Sequence, residues 1–127
     1  MVAGLWGEDA AFQALQCRPD LTRVEWLNRH EETFLPYDIV AWTAEPEPRQ
    51  LFYEVKTTVS PRQRMLNVSL AEVEAARRYG SLYHFVIVRY DKKKKAAKVV
   101  VLRNWLNATV RFQLALPQEI DLVHEAA

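Results

Sequence analysis

The chain has 127 residues, 50% of them hydrophobic, with four Trp, five Tyr and five Phe, which is enough apolar material for one ordinary domain with its own core. The formal net charge is +1, which excludes a global basic field drawing the chain to nucleic acid and leaves such contacts to local patches. No apolar run reaches bilayer-spanning length and the first residues lack the basic-then-apolar order of a signal peptide, so no membrane partner is expected.

In chain order, residues 5–16 (LWGEDAAFQALQ) predict a helix rich in Ala, Leu and Gln. Arg18-Pro19-Asp20 ends it, since proline cannot continue the ladder. Cys17, the single cysteine, cannot form an internal disulfide. It is expected to be a small core residue at the helix end, in a reducing intracellular setting, nuclear or cytoplasmic. Residues 22–28 (TRVEWLN) alternate polar and apolar side chains as a half-buried strand does. A polar loop, 29–33, follows. Residues 37–43 (YDIVAWT) and 51–58 (LFYEVKTT) predict two strands joined across the Glu45-Pro46-Glu47-Pro48 connection as an antiparallel hairpin. Ser60-Pro61-Arg62 breaks the pattern, and 64–68 is a short-strand candidate.

Ser69 stands three residues before Glu72, the reciprocal cap of a helix start. That helix is expected to run to about Tyr79 and stop at Gly80, which tolerates a left-handed end. Residues 82–90 (LYHFVIVRY) predict an apolar strand inside the sheet. The lysine run 92–95 makes a charged turn, and 98–102 return as a strand. Residues 111–116 fit either a strand or part of a helix. The order helix, three strands, helix, two strands predicts an α/β layered sandwich on one mixed sheet, a single domain over residues 1–127 that stands alone or within a larger protein.

Side chains alternate across a strand, so Glu54 and Lys56 share one face while Tyr53 and Val55 enter the core on the other. Antiparallel pairing with the preceding strand brings Asp38 beside Glu54. Two close carboxylates repel unless a cation lies between them, and hard oxygen ligands suit Mg2+ or Mn2+. A nearby ammonium can orient a water or offset charge developing on a phosphate. On an exposed strand the same residues would form only a solvated ion pair.

Leu35-Pro36-Tyr37-Asp38-Ile39 with Tyr53-Glu54-Val55-Lys56-Thr57-Thr58 resembles the metal-binding core of the restriction-endonuclease-like, PD-(D/E)xK, superfamily. Within it, the chain resembles the Mrr-like family found at the C-terminus of protein NO VEIN and of large ATPase-containing proteins. Gly4-Leu5-Trp6-Gly7-Glu8, Val24-Glu25-Trp26-Leu27-Asn28, Val68-Ser69-Leu70-Ala71-Glu72 and residues 83–88 carry the likeness in order over roughly residues 4–91. The resemblance implies a central mixed β-sheet flanked by helices and a magnesium-dependent endonuclease-type site acting on DNA, less readily RNA. Asp38 and Glu54 would bind the metal, the Val55 carbonyl would complete its shell, and Lys56 would position water or stabilise phosphate charge. Glu8 matches a position that binds metal directly or through water; the helix macrodipole explains an acid there equally well. The resemblance also leaves room for fusion to an ATPase or helicase-like region.

Arg62, Arg64, Thr57 and, lower in rank, Arg77 and Arg78 are candidates for nucleic-acid contact, since phosphates are met mostly by Arg and Lys. Thr57 and Thr58 also read as ordinary strand formers, and the lysine run as a solvated turn. His30, His84 and His124 show no zinc spacing. His84 is expected on the opposite side of the sheet from Phe85 and Ile87, and Trp26, Trp42 and Trp105 are expected to pack rather than stack on bases. Two other readings stand beside the nuclease: a catalytically silent nucleic-acid-binding or protein-interaction module of the same fold, and a homodimer built on the apolar last strands.

Overall fold

The computed structural model describes residues 3–60, 62–103 and 105–107. Its elements run α1 (Ala3–Gln16), β1 (Leu21–Trp26), β2 (Ile39–Thr43), β3 (Gln50–Thr58), α2 (Leu70–Tyr79), β4 (Tyr83–Asp91) and β5 (Ala96–Leu102), with 3-10 turns at Gly80–Leu82 and Trp105–Asn107. The strands form one mixed sheet in the order β1-β2-β3-β4-β5. All neighbours are antiparallel except β3 and β4, which run parallel. A parallel pair needs a long crossover, and α2 supplies it. The architecture is α/β, as expected. Residues 111–116 and His124 lie outside the described residues.

Period-two patterning decides which side chain meets which helix. Ile39 and Ala41 of β2, Tyr53 of β3, and Val86 and Val88 of β4 pack with Ala11, Phe12 and Leu15 of α1. The alternate residues Val40, Phe52, Tyr83, Phe85 and Ile87 pack with Ala75 and Ala76 of α2 and with Trp105. Each large side chain taken fully out of water on either face contributes about 1.5–3 kcal/mol. Strand β4 is buried on both faces from Tyr83 to Val88, which is why it reads as a continuous apolar run. Trp26 and Trp42 pack against these two clusters, one on each face, and His84 lies against Tyr53, opposite Phe85 and Ile87. The Ser69–Glu72 capping box is formed, and Gly80 takes φ +57° after the helix.

Two expectations are corrected. Cys17 is exposed. It lies in the turn after α1, two residues past Leu15, the last buried residue of the helix's apolar stripe. Residues 64–68 form no strand. Strands β2 and β4 already occupy both edges of β3, and Gln63 fixes the segment as a loop: its side chain accepts from Thr58 Oγ1 at 2.6 Å and donates to the Met65 carbonyl at 2.9 Å.

Candidate active site

Strand β2 stops pairing with β3 at Ile39↔Tyr53, and Asp38 stands one residue beyond. Its main chain still joins three strands: its N–H donates to the Tyr53 carbonyl at 2.8 Å and its carbonyl accepts from Leu27 N–H at 2.9 Å. The side chain is fixed as firmly. Asp38 Oδ2 accepts from the Val55 N–H at 2.8 Å, and Oδ1 from Asn28 Nδ2 at 2.6 Å. Asn28 is itself buried, and its Oδ1 accepts from Thr33 N–H at 3.0 Å and Thr33 Oγ1 at 2.6 Å. A residue's N–H and C=O leave a strand on the same edge. The Val55 carbonyl therefore faces the Asp38 side, beyond the last β2–β3 pair.

Glu54 is the other half of the pair. Burial, then the negative charges of Asp38 and Glu72, push its carboxyl up to about 9, with Lys56 opposing only in part. Asp38 is also raised, chiefly by burial. Two neighbouring carboxyls so withdrawn from water keep a proton between them at neutral pH. Glu54 Oε2 is buried with no hydrogen-bond partner.

Lys56 shares the face of Glu54 and reaches α2, where Nζ meets Glu72 Oε1 at 2.6 Å over the Phe85 ring. The same Glu72 oxygen accepts the Ser69 N–H at 3.2 Å, so one carboxylate closes the helix start and holds the ammonium. Glu8 approaches from the opposite face. A Cβ at Gly7 would fall 1.8 Å from Thr57 Oγ1, so α1 touches β3 at a contact only glycine permits. This brings Glu8 to Trp26 Nε1, which donates to it at 3.1 Å. Burial, then the charge of Asp38, raises the Glu8 carboxyl.

The sequence candidates therefore divide. Asp38, Glu54, Val55 and Lys56 converge, with Glu8 within the field of Asp38. Thr57 packs on α1, across the sheet from Glu54 and Lys56. Arg77 is exposed about one and a half turns beyond Glu72 and pairs with Glu74 at 3.6 Å. Arg62 and Arg64 line a cleft of about 500 Å3 with Gln63 and Arg89. Arg89 is in register with Thr58, two residues past Lys56, so the cleft opens where β3 ends.

Sequence reasoning missed Asn28, Arg89 and the second contact of Glu72. It also missed Tyr83, whose Oη donates to the Pro36 carbonyl at 2.6 Å and steadies the segment before Asp38. The phenol is held above its usual range by burial and by Glu54, Glu72 and Asp38. Asn28 and Glu72 carried a signal only as a strand end and a cap. Among the described residues, no group of three or more His, Cys, Asp and Glu side chains gathers to hold a metal ion. An ion here would draw on two carboxylates, main chain, water and substrate oxygen, the usual style of Mg2+.

The fold and site define an α/β domain with a carboxylate pair, one member buried and one half-buried, at a strand edge. The chain belongs to the protein NO VEIN C-terminal family, whose family model matches residues 7–102. Protein NO VEIN-LIKE of Arabidopsis thaliana is 33% identical to it over 82 residues, covering 64% of this chain and 12% of that protein. The chain thus corresponds to a small part of that relative's length. No solved structure matches it. Among the described residues, no helix is long and apolar enough to cross a membrane.

Proposed function

We propose that this domain is a metal-dependent phosphodiesterase of the restriction-endonuclease-like, PD-(D/E)xK type, cutting nucleic acid, DNA in preference to RNA. One observation carries the reading: buried Asp38 stands beside half-buried Glu54, whose Oε2 is itself buried and unpartnered, with Lys56 on the same strand face. The donor set fits a hard divalent cation, because an ion between the carboxylates removes their repulsion and uses the orphaned oxygen. Asp38, Glu54 and the Val55 carbonyl would hold Mg2+ or Mn2+, with Glu8 directly or through water. When bound, the ion supplies Lewis-acid stabilisation and a water of lowered pKa.

The chain's own residues do the rest. Asn28 and the Val55 N–H fix the Asp38 carboxylate, so its orientation needs no rearrangement on binding. Lys56 offers a donor along the Glu54 face, suited to orienting a water or meeting charge on a phosphate. Arg62, Arg64 and Arg89 provide cationic wall for a phosphate backbone running off the end of β3. The acidic 45–48 connection lies at the other end of the sheet and does not oppose them.

One observation favours a silent binding module instead: the Lys56 ammonium is already engaged by Glu72. The test is calorimetry with Mn2+, followed by incubation with mixed DNA and RNA. Asp38→Ala and Glu54→Ala are expected to lose metal binding. Lys56→Ala is expected to keep it and lose cleavage by about 100-fold or more. Equal cleavage by wild type and Lys56→Ala would remove the enzyme reading. Nucleic-acid binding that survives all three changes, with no cleavage by wild type, and falls when Arg62 and Arg64 are neutralised would establish the silent module.

A further inference from the structure

A second cavity, of about 520 Å3, lies at the end of the sheet opposite Asp38, where β1 begins, β2 turns into β3, and β4 begins. Its wall includes Arg18, Arg49, Arg103, Ser81, His84 and Tyr53. Two of the guanidiniums are engaged. Arg18 forks onto both oxygens of Asp20 at 3.0 and 2.7 Å, and Arg49 meets Glu45 at 3.2 Å. Three arginines against two carboxylates leave an excess of positive charge, centred on Arg103. Set into the wall is His84, only 6% exposed, whose Nδ1 is buried without a hydrogen-bond partner. A buried polar atom left unpaired in a native core requires a reason, and a ligand is one.

We propose that this cavity is a binding site for a small organic phosphate, a phosphomonoester, whose terminal oxygens are met by Arg103, Ser81 and His84 Nδ1. The volume is that of a small-molecule site, larger than a bare anion needs, with Leu51 and Ala44 lining the remainder for the ester group. The three groups are separate donors, which suits a tetrahedral dianion with three terminal oxygens better than a carboxylate with two. Burial, then the charges of Arg103 and Arg18, lower the His84 imidazole to about 4. At neutral pH the ring is uncharged, and as the Nδ1–H tautomer it would donate to a ligand oxygen. The cationic field that suppresses its protonation is the field that attracts the anion.

The site is independent of the carboxylate pair, and the test keeps them apart. Glycerol 3-phosphate is titrated into the full chain while the His84 ring resonances are followed by NMR. Saturable shifts are expected, weakened about tenfold or more in Arg103→Gln and unchanged in Asp38→Ala. Arg103 is exposed, so its replacement leaves the fold intact. Absent His84 shifts, or equal affinity in wild type and Arg103→Gln, would overturn the site. Glycerate binding as tightly as the phosphomonoester would overturn the choice of phosphate.

Discussion

At the scale of single residues, the alternation of Tyr53, Glu54, Val55 and Lys56 was legible because strand geometry is local, and both faces are occupied as the pattern requires. The carboxylate neighbour of Glu54 was legible too, since hairpin pairing brings Asp38 to it. Asn28 was not. Its three hydrogen bonds reach Asp38 and Thr33, and nothing in a strand-ending Asn announces either partner. Gly7 is a second case, legible only as a family motif residue. Its missing side chain is what lets α1 rest on Thr57, and Gly7→Ala forces a methyl into that hydroxyl. We expect a loss of about 1–3 kcal/mol in urea unfolding, partly recovered by adding Thr57→Ala. No loss in the single variant would show that α1 can lift at no cost.

At the scale of elements, α2 was read correctly from its ends, because the Ser69–Glu72 cap and Gly80 are local devices. What the cap conceals is the link from α2 to β3. Ser69→Ala removes a cap alone and is expected to cost about 1 kcal/mol. Glu72→Ala removes the cap and strands the largely buried Lys56 ammonium, and is expected to cost roughly 3 kcal/mol or more. Adding Lys56→Met to Glu72→Ala should restore much of the difference, read by the same unfolding curves. Equal losses for Ser69→Ala and Glu72→Ala would mean that the ion pair contributes nothing. The misread 64–68 segment belongs here: its composition tolerates a strand, but contacts of Gln63 with Thr58 and the Met65 carbonyl hold it as a loop, and composition does not announce them.

For the whole molecule, the order of elements was readable, while the placement of the sheet's two ends was not, because it depends on the parallel β3–β4 pairing. The carboxylate pair has a global signature. A carboxyl raised in the fold from 4.5 to about 9 makes the native state hold a proton that the unfolded chain has lost. Its contribution is full below 4.5 and is lost as pH rises through 9. His84, lowered from 6.5 to about 4, acts in the opposite sense, its contribution present above 6.5 and lost as pH falls through 4. Above pH 6.5 the His84 effect is complete, and the raised carboxyls, Glu54 foremost, set the slope. The metal-free protein should therefore melt at progressively lower temperature from pH 6.5 to 9, and Glu54→Gln should flatten that slope. Saturating Mg2+ should flatten it too, by favouring the ionised pair. A slope unchanged in Glu54→Gln would place the proton elsewhere. Strand β3 also has a practical consequence: Tyr53 walls the second cavity on one face, and Glu54, the next residue along, joins the carboxylate pair on the other. A substitution or label on that strand therefore calls for a readout at each end before its phenotype is assigned to either.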